Sequence, residues 1–343
     1  MSDAFTKMFS QMLASGQEMA RAFNPGLENL DTRAIEKMFP TMSADMMEMW
    51  FGRTFNREGL DAKTRLLLTI GALTVQGAVA EPQLRLAVRH AREAGATPRE
   101  IAENATIIFL CVTGSPQVEA VIRGADGILA GARPGTIVVD CSTSEPGSTL
   151  ALAAELDAKG LILCDAPLGG TPAQAALGQL SAMVGASPEA FARIKPVCEA
   201  WAQKIVHLGP VGDGHKMKLL NNFLSLGYAA LYAEALTLGE KIGITPQTFN
   251  SVLSGSRMDC GFYQTFMKYV LERDRNAHQF TLVNALKDVR YLEATANAAG
   301  VPNPIGSAVK NAFAAPVAAG KGEDYVPMLS DWMASQVGVS LAK

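Results

Sequence analysis

Five short apolar runs between residues 106 and 208 constrain this chain more than any other feature. They are "TIIFLCV" (106–112), "TIVVD" (136–140), "LILCD" (161–165), "LSAMV" (180–184) and "KIVHL" (204–208). Each is continuous rather than alternating and rich in β-branched residues, as in a strand covered on both faces. Helical stretches separate most of them, at about 115–123, 146–159 and 187–201. Strands alternating with helices imply right-handed crossovers and a mostly parallel sheet. From Gly212 onward the spacing is helical to the C-terminus, and no internal repeat is evident. The first hundred residues also read as helices. Leu60–Val75 has Asp61 as its N-cap. "EPQLRLAVRHAREAG" has Pro82 in its first turn and Gly95 after its end. "TPRE" restarts a helix with Thr97 and Glu100 as a capping box and Pro98 at its first position. Phe5, Met8, Phe9, Met12 and Leu13 recur at helical spacing, as do Ile35, Met38, Met42, Met46 and Met49. Such methionine faces suit a core or an oligomer interface rather than a redox or metal site. The expected fold class is α/β plus all-α: a helical module, a partial Rossmann-like parallel sheet and a C-terminal helical domain.

Composition narrows the partners. With 343 residues there is chain for about two domains of roughly 150 residues each. Hydrophobic residues make up 48% and charged residues 18%, so a large core can form. The formal charge is −3 and no long basic run occurs, which argues against nucleic acid. The five cysteines form no C-x-x-C pair, which fits a reducing, cytoplasmic setting. The N-terminus has no apolar signal region. The most apolar stretch, Leu219–Ala233, contains Asn221, Asn222 and Ser225 and falls short of the roughly 20 residues a bilayer needs. It reads as a buried core helix, and neither a membrane nor a metal is expected.

One block poses the functional question. "GPVGDGHKMKLLNN" (209–222) places three glycines before a helix. Their spacing, at 209, 212 and 214, does not give G-x-G-x-x-G. No Ser or Thr follows Lys216, so the P-loop pattern also fails. Four further blocks accompany it in order: "FLCVTGSPQVEAVI" (109–122), "VVDCSTSEP" (138–146), "DAPLGGTP" (165–172) and "FTLVNALKD" (280–288). Together, from about Ile101 to the C-terminus, they resemble the β-hydroxyacid dehydrogenase family, which includes the 3-hydroxyisobutyrate dehydrogenases.

The resemblance implies hydride transfer between a small hydroxyacid and NAD or NADP. It aligns Lys218 with the family's catalytic lysine. A positioned amine can hold the reacting hydroxyl and pass its proton. An apolar site near a helix N-terminus would lower a lysine from about 10.4. The plain alternative is a solvated surface lysine, which is the reading for Lys216. Asn222 lies four residues on, on the same helical face as Lys218, and would orient the substrate or the lysine; Asn221 points elsewhere. By the same resemblance the backbone of Cys111 and Val112, together with Thr143 and Lys287, would meet the cofactor. Gly169, Gly170 and Thr171 would bind the substrate, their N–H groups forming a nest for a carboxylate. This loop departs from the family's D-A-P-V-S-G-G: Gly169 replaces the serine and Thr171 the last glycine. It looks closer to the sulfolactaldehyde reductase branch, with Gly170 where that branch has an anion-binding arginine. The C-terminal helices would supply the substrate domain and a homo-oligomer interface.

Residues 1–104 depart from the family. They contain no G-x-G-x-x-G after a strand, so about two βαβ units of roughly 30 residues are absent. With no glycine turn for the diphosphate, weak cofactor binding is expected, with NAD and NADP both open. Residues 59–103 resemble instead the carboxymuconolactone decarboxylase family, which includes the AhpD-like peroxidases. Gln83 and Ala87 stand at the second cysteine and the histidine of the peroxidase motif, so its thiol chemistry is absent; His90 is one turn further on. The expected domains are 1–104, 105–210 and 211–343. Besides the oxidoreductase, two functions stay open: a decarboxylase-like enzyme using residues such as Glu81, Arg85 or His90, and a non-catalytic fusion.

Overall fold

A computed structural model describes residues 43–51, 60–75 and 81–342. The patterns at Phe5–Leu13 and Ile35–Met42 lie outside the described residues. The chain divides into two compact units after Ala96. In the first, α1 is Ala44–Phe51, α2 Ala62–Val75 and α3 Glu81–Glu93. Asp61 caps α2 as expected, its Oδ1 accepting the Thr64 N–H at 2.7 Å. Gly95, beyond α3, has φ of +86°, a value that favours glycine. Ala62, Leu66 and Ala91 form this unit's described core.

The second unit opens with α4 (Pro98–Asn104), whose N-cap Thr97 accepts the Glu100 N–H at 3.2 Å. The expected strands come next. They are β1 (Ile107–Leu110), β2 (Ile137–Asp140), β3 (Ile162–Asp165), β5 (Leu180–Gly185) and β6 (Ala202–Gly209), with a short β4 (Leu168–Gly169) that the apolar runs do not show. Between them lie α5 (Ser115–Arg123), α6 (Ile128–Gly131), α7 (Pro146–Asp157), α8 (Pro172–Ala176) and α9 (Pro188–Cys198). Ile137, Val138 and Val139 are fully buried, in line with a strand covered on both faces. Each such side chain contributes about 1.5–3 kcal/mol relative to leaving it in water.

The sheet is mostly parallel, as expected, with an antiparallel element where β3 and β4 meet β5. β1–β2, β2–β3 and β5–β6 are parallel, whereas β3–β5 and β4–β5 are antiparallel. β3 and β4 run in the same direction against β5, and the chain turns back between Gly169 and Leu180 through α8, a turn that opens at Gly170 with φ of +132°. Among the described residues β1 pairs only with β2, so it forms a sheet edge.

After β6 come α10 (Asp213–Lys241), α11 (Pro246–Leu253), α12 (Gly261–Glu272), α13 (Leu282–Ala298), α14 (Pro304–Ala318) and α15 (Leu329–Gln336). The 29 residues of α10 make a rod of roughly 43 Å. Leu219–Ala233 is part of this rod and is not buried all round. Leu219, Leu226, Ala229 and Ala233 face the core, while Leu220, Leu224 and Leu231 are exposed. No helix among the described residues is long and apolar enough to cross a membrane.

Candidate active site

The C-terminal ends of β1, β2 and β3 stand side by side, with Leu110, Asp140 and Asp165 in register. Two carboxylates at these ends, Asp140 and Asp165, organise the loops and the helix beyond them. Asp140 accepts the Ser142 N–H and the Ser144 hydroxyl, each at 2.8 Å. The Ser142 hydroxyl oxygen in turn accepts the Val112 N–H at 3.0 Å. The β1 and β2 loops are thereby tied together, with Cys111 exposed at their rim.

Asp165 anchors α10 to the sheet. It accepts the Gly212 N–H at 2.6 Å and the His215 N–H at 2.7 Å. A carboxylate at a helix start satisfies orphan donors and suits the helix dipole. Burial raises the Asp165 carboxyl above its ordinary value, against the pull of His215 and of the two N–H groups. The His215 ring is fully buried, its Nδ1 2.8 Å from the Thr149 hydroxyl and its Nε2 3.1 Å from the Ser142 carbonyl oxygen.

The glycines of the 209–222 block serve this junction. Gly209 and Gly212 have φ of +154° and +95°, where side chains are disfavoured. Gly214 is needed for closeness: a Cβ there would run into the Met183 carbonyl oxygen and lie 2.7 Å from Asp165 Oδ2. They set a helix against two strands.

Lys218 sits one turn later. It is half-buried, and its ammonium is pushed below the ordinary lysine value, chiefly by burial; Lys287 adds to the shift and Asp288 opposes it. Lys216 is exposed and pairs with Asp213 at 2.9 Å. Asn222 is buried, and its Nδ2 donates to Asp288 Oδ2 at 2.6 Å. Asp288 is 3% exposed on α13. Its Oδ1 lies 3.2 Å from Lys287 Nζ at an angle too poor for a hydrogen bond, so the contact is an ion pair. Burial raises the Asp288 carboxyl, and Lys287, Asn222 and Lys218 hold the rise in check.

Lys287 reaches across to the sheet. Its Nζ donates to the Thr113 carbonyl oxygen and, at 3.3 Å, to that of Thr143. It also sits 5.7 Å from the centre of the Tyr291 ring. Gly114 permits this approach, since a Cβ there would lie 2.9 Å from the Tyr291 hydroxyl and 3.2 Å from Lys287 Cδ. The structure therefore brings Lys218, Asn222 and Lys287 together and sets the Thr143 backbone beside them, with Val112 and Cys111 at the same strand ends.

The 169–171 loop is a separate feature. Thr171 caps α8 in a reciprocal box: its hydroxyl oxygen accepts the Gln174 N–H at 3.3 Å, and its own N–H donates to Gln174 Oε1 at 2.9 Å. One N–H of the expected nest is thus already engaged. Gly169 pairs with Ser181 on β5, and Gly170 is exposed. Among the described residues no hydrogen bond joins this loop to Lys218 or Asn222. Met183 is the link, since its carbonyl faces Gly214 and its Cε lies 3.5 Å from where a Gly169 Cβ would sit. In α3, His90 is buried and its pKa is lowered, mainly by burial. The side chains of Glu81, Gln83 and Arg85 lie outside the described residues.

Three buried residues at the site are not evident from sequence reasoning: Asp165, His215 and Asp288. Asp288 does carry a usable signal. It is a lone acid on the apolar stripe Leu282, Ala285, Leu286, Val289 and Leu292. Asp165 ends an apolar strand run and looks like an ordinary strand terminus.

Among known protein families, the profile of the NAD-binding domain of 6-phosphogluconate dehydrogenase matches residues 72–209, from within α2 through β6. The NAD-binding profile of NADP-dependent 3-hydroxyisobutyrate dehydrogenase matches residues 212–330. The 3-sulfolactaldehyde reductase of Escherichia coli (strain K12) is 33% identical over 261 residues, covering 74% of this chain and 85% of the reductase. A crystal structure of 3-hydroxyisobutyrate dehydrogenase from Salmonella typhimurium superposes with a TM-score of 0.63 at 27% identity, over 73% of this chain and 87% of that one. An uncharacterized 15.0 kDa protein of Paracoccus denitrificans is 65% identical over 131 residues, which are 38% of this chain and 96% of that protein.

Proposed function

The chain belongs to the NAD(P)-dependent hydroxyacid dehydrogenase family that includes 3-hydroxyisobutyrate dehydrogenase, and on that premise we propose that it interconverts a small hydroxyacid and its carbonyl form with Lys218 as acid and base. When bound, the nicotinamide takes or gives the hydride. The observation that carries the proposal is the half-buried Lys218, one turn from Asn222 at the C-terminal ends of the strands, with its ammonium lowered by burial. In the oxidation direction the neutral Lys218 amine accepts the hydroxyl proton; in reduction the ammonium returns it. Asn222 holds the oxygen or the lysine in line. On the cofactor side we assign Lys287, Thr143 and the Cys111–Val112 backbone. On the substrate side we assign Gly169, Gly170 and Thr171, where an anionic group would have to displace Gln174 Oε1 to reach the Thr171 N–H and hydroxyl.

The finer reading is that cofactor binding is weak and discriminates little between NAD and NADP. No G-x-G-x-x-G turn precedes β1, and losing two charge-assisted hydrogen bonds of about 1.5–3 kcal/mol each weakens binding roughly 10²–10⁴-fold. We assign 1–104 to a carboxymuconolactone-decarboxylase-like module, 105–210 to the partial nucleotide domain and 211–343 to the helical domain. The exposed stripe of Leu220, Leu224, Tyr228, Leu231 and Leu238 on α10 supports a homodimer. Light scattering of the parent and of a Leu224→Glu, Leu231→Glu variant tests the dimer; a monomeric parent removes it.

The main test follows nicotinamide absorbance with a panel of small 3-hydroxyacids, alongside calorimetric titration of both cofactors. Turnover that requires Lys218 is expected. Parent-like turnover in Lys218→Ala would overturn the assignment, and micromolar, selective cofactor binding would overturn the weak-binding reading.

A further inference from the structure

Asp288 is a buried carboxylate with a specific set of neighbours. One oxygen, Oδ2, accepts the Asn222 Nδ2–H at 2.6 Å. The other, Oδ1, makes no hydrogen bond and forms an ion pair with the Lys287 ammonium at 3.2 Å. A buried charge without full hydrogen bonding is costly, and an apolar residue would pack this stripe of α13 at less expense. The contact with Asn222 also fixes how that carboxamide is turned. Its Nδ2 is held toward Asp288, and its Oδ1 accepts from Asn221 Nδ2 at 3.1 Å. Asn222 and Lys218 share a face of α10, so whatever orients one constrains the other.

We propose that Asp288 is a positioning residue for the reaction: it orients the Asn222 carboxamide, supplies the countercharge that keeps Lys218 able to hold a proton, and steadies Lys287 over the β1 and β2 loops. This rests on the reading of Lys218 as the acid and base. Asp288 pairs with Lys287 directly and bonds Asn222, the helical neighbour of Lys218, so one carboxylate touches both the α10 side and the cofactor side of the site. The charged and titratable groups around it are Lys218 from α10, Lys287 and Tyr291 from α13, and Glu145 from the turn before α7, which bears on Tyr291. Lys218 is pushed down by burial and by Lys287, and Asp288 is the neighbour that opposes the shift.

The test is Asp288→Asn, which keeps the shape and still accepts the Asn222 N–H through a carbonyl oxygen. Lysine amines are labelled by reductive ¹³C-methylation, and Lys218 is followed by NMR through a pH titration, its resonance assigned with Lys218→Arg. Lys218 is expected to titrate at lower pH in Asp288→Asn than in the parent. The reduction rate at neutral pH is expected to fall about 10–100-fold, the range for outer residues that orient metal-ligating side chains, with KM little changed. An unchanged Lys218 titration would overturn the proposal. Should Asp288→Asn fail to fold, Asp288→Glu carries the decision. Its retained charge should leave the Lys218 titration near that of the parent while kcat drops, because the longer side chain displaces Asn222. Parent-like kcat in Asp288→Glu overturns the orienting role. If neither parent nor variants turn over any hydroxyacid, the reading of the reaction fails, yet the titration still decides whether Asp288 governs Lys218.

Discussion

The two flanks of the site are built on opposite plans. The lysine flank is buried and cross-tied: Asp165 holds the first turn of α10, Asp140 holds the β2 loop, and Asp288 joins α10 to α13. The 169–171 flank is partly exposed and closed on itself, its Thr171 bound to Gln174 rather than to the rest of the site. Preorganised groups can stabilise charge as it develops, because they need not rearrange during the reaction. The lysine flank therefore suits the chemical step, and the loop suits the choice of substrate. Changes on the first flank should alter kcat and stability, and changes on the second should alter KM.

The widest separation is expected from Asp165→Ala. It removes two charge-assisted hydrogen bonds, of about 1.5–3 kcal/mol each, and leaves their N–H donors buried. Loss of roughly 3–6 kcal/mol is expected from urea denaturation, together with loss of activity. A loss under about 1 kcal/mol, below the cost of leaving even one such donor unpaired, would mean that the helix start is held by something else. Next is Lys218→Ala, expected to cost about 10²–10⁴ in kcat, the usual worth of acid–base catalysis. Lys216→Ala, two residues away, should stay near the parent, since its partner Asp213 is a surface pair. Equal rates for the two variants would remove Lys218 from the mechanism.

A third effect is smaller and depends on pH. Because burial lowers Lys218, the neutral amine becomes available below the ordinary 10.5. The oxidation rate should rise with pH through that lowered value, and the reduction rate should fall through it. Stability moves in the same direction. Between the lowered value and 10.5 the unfolded chain binds more protons at this position than the folded one, so folding is favoured as pH rises. In Lys218→Met this rise should vanish, as read by denaturation at a series of pH values. An identical pH slope in Lys218→Met would show that Lys218 is not the buried group responsible.

How legible each feature is in the sequence depends on how it is encoded. The strands are legible as apolar runs, but cover on both faces holds for β2, where Ile137–Val139 is buried, and not for β6, most of which is exposed. Lys218 and Asn222 are picked out by the resemblance of the 209–222 block and its four companion blocks to the family, since the glycine spacing by itself fits no phosphate-binding pattern. The reversal of β5 is not legible, because it depends on a loop with φ of +132° at Gly170 and on pairing with β3 through the single bridge Asp165–Gly185. Asp165 and Asp288 stay hidden for a related reason. Each works through partners 47 to 66 positions away, and spacing reports only neighbours along the chain. Gly214 reads in the sequence as part of a tight entry to the helix, whereas its role is contact with strand backbone that only the packed fold reveals.

The smallest expected effect lies on the loop flank and bears most directly on the comparison. Thr171→Ala removes the hydroxyl that accepts the Gln174 N–H, so α8 loses its cap. Such a loss costs about 0.5–2 kcal/mol locally. α8 has five residues, none of them buried, so the loss should stay local and leave the global unfolding midpoint nearly unchanged. Within the site the change removes the hydroxyl, which also lies 3.2 Å from Gln174 Oε1, and leaves the backbone N–H of residue 171 donating to that oxygen. A substrate that uses the hydroxyl loses one contact, so KM should rise by a few-fold. The separation of the flanks requires kcat to hold. A Thr171→Ala enzyme whose kcat falls as far as that of Lys218→Ala, with KM unmoved, would mean that the loop acts in the chemical step.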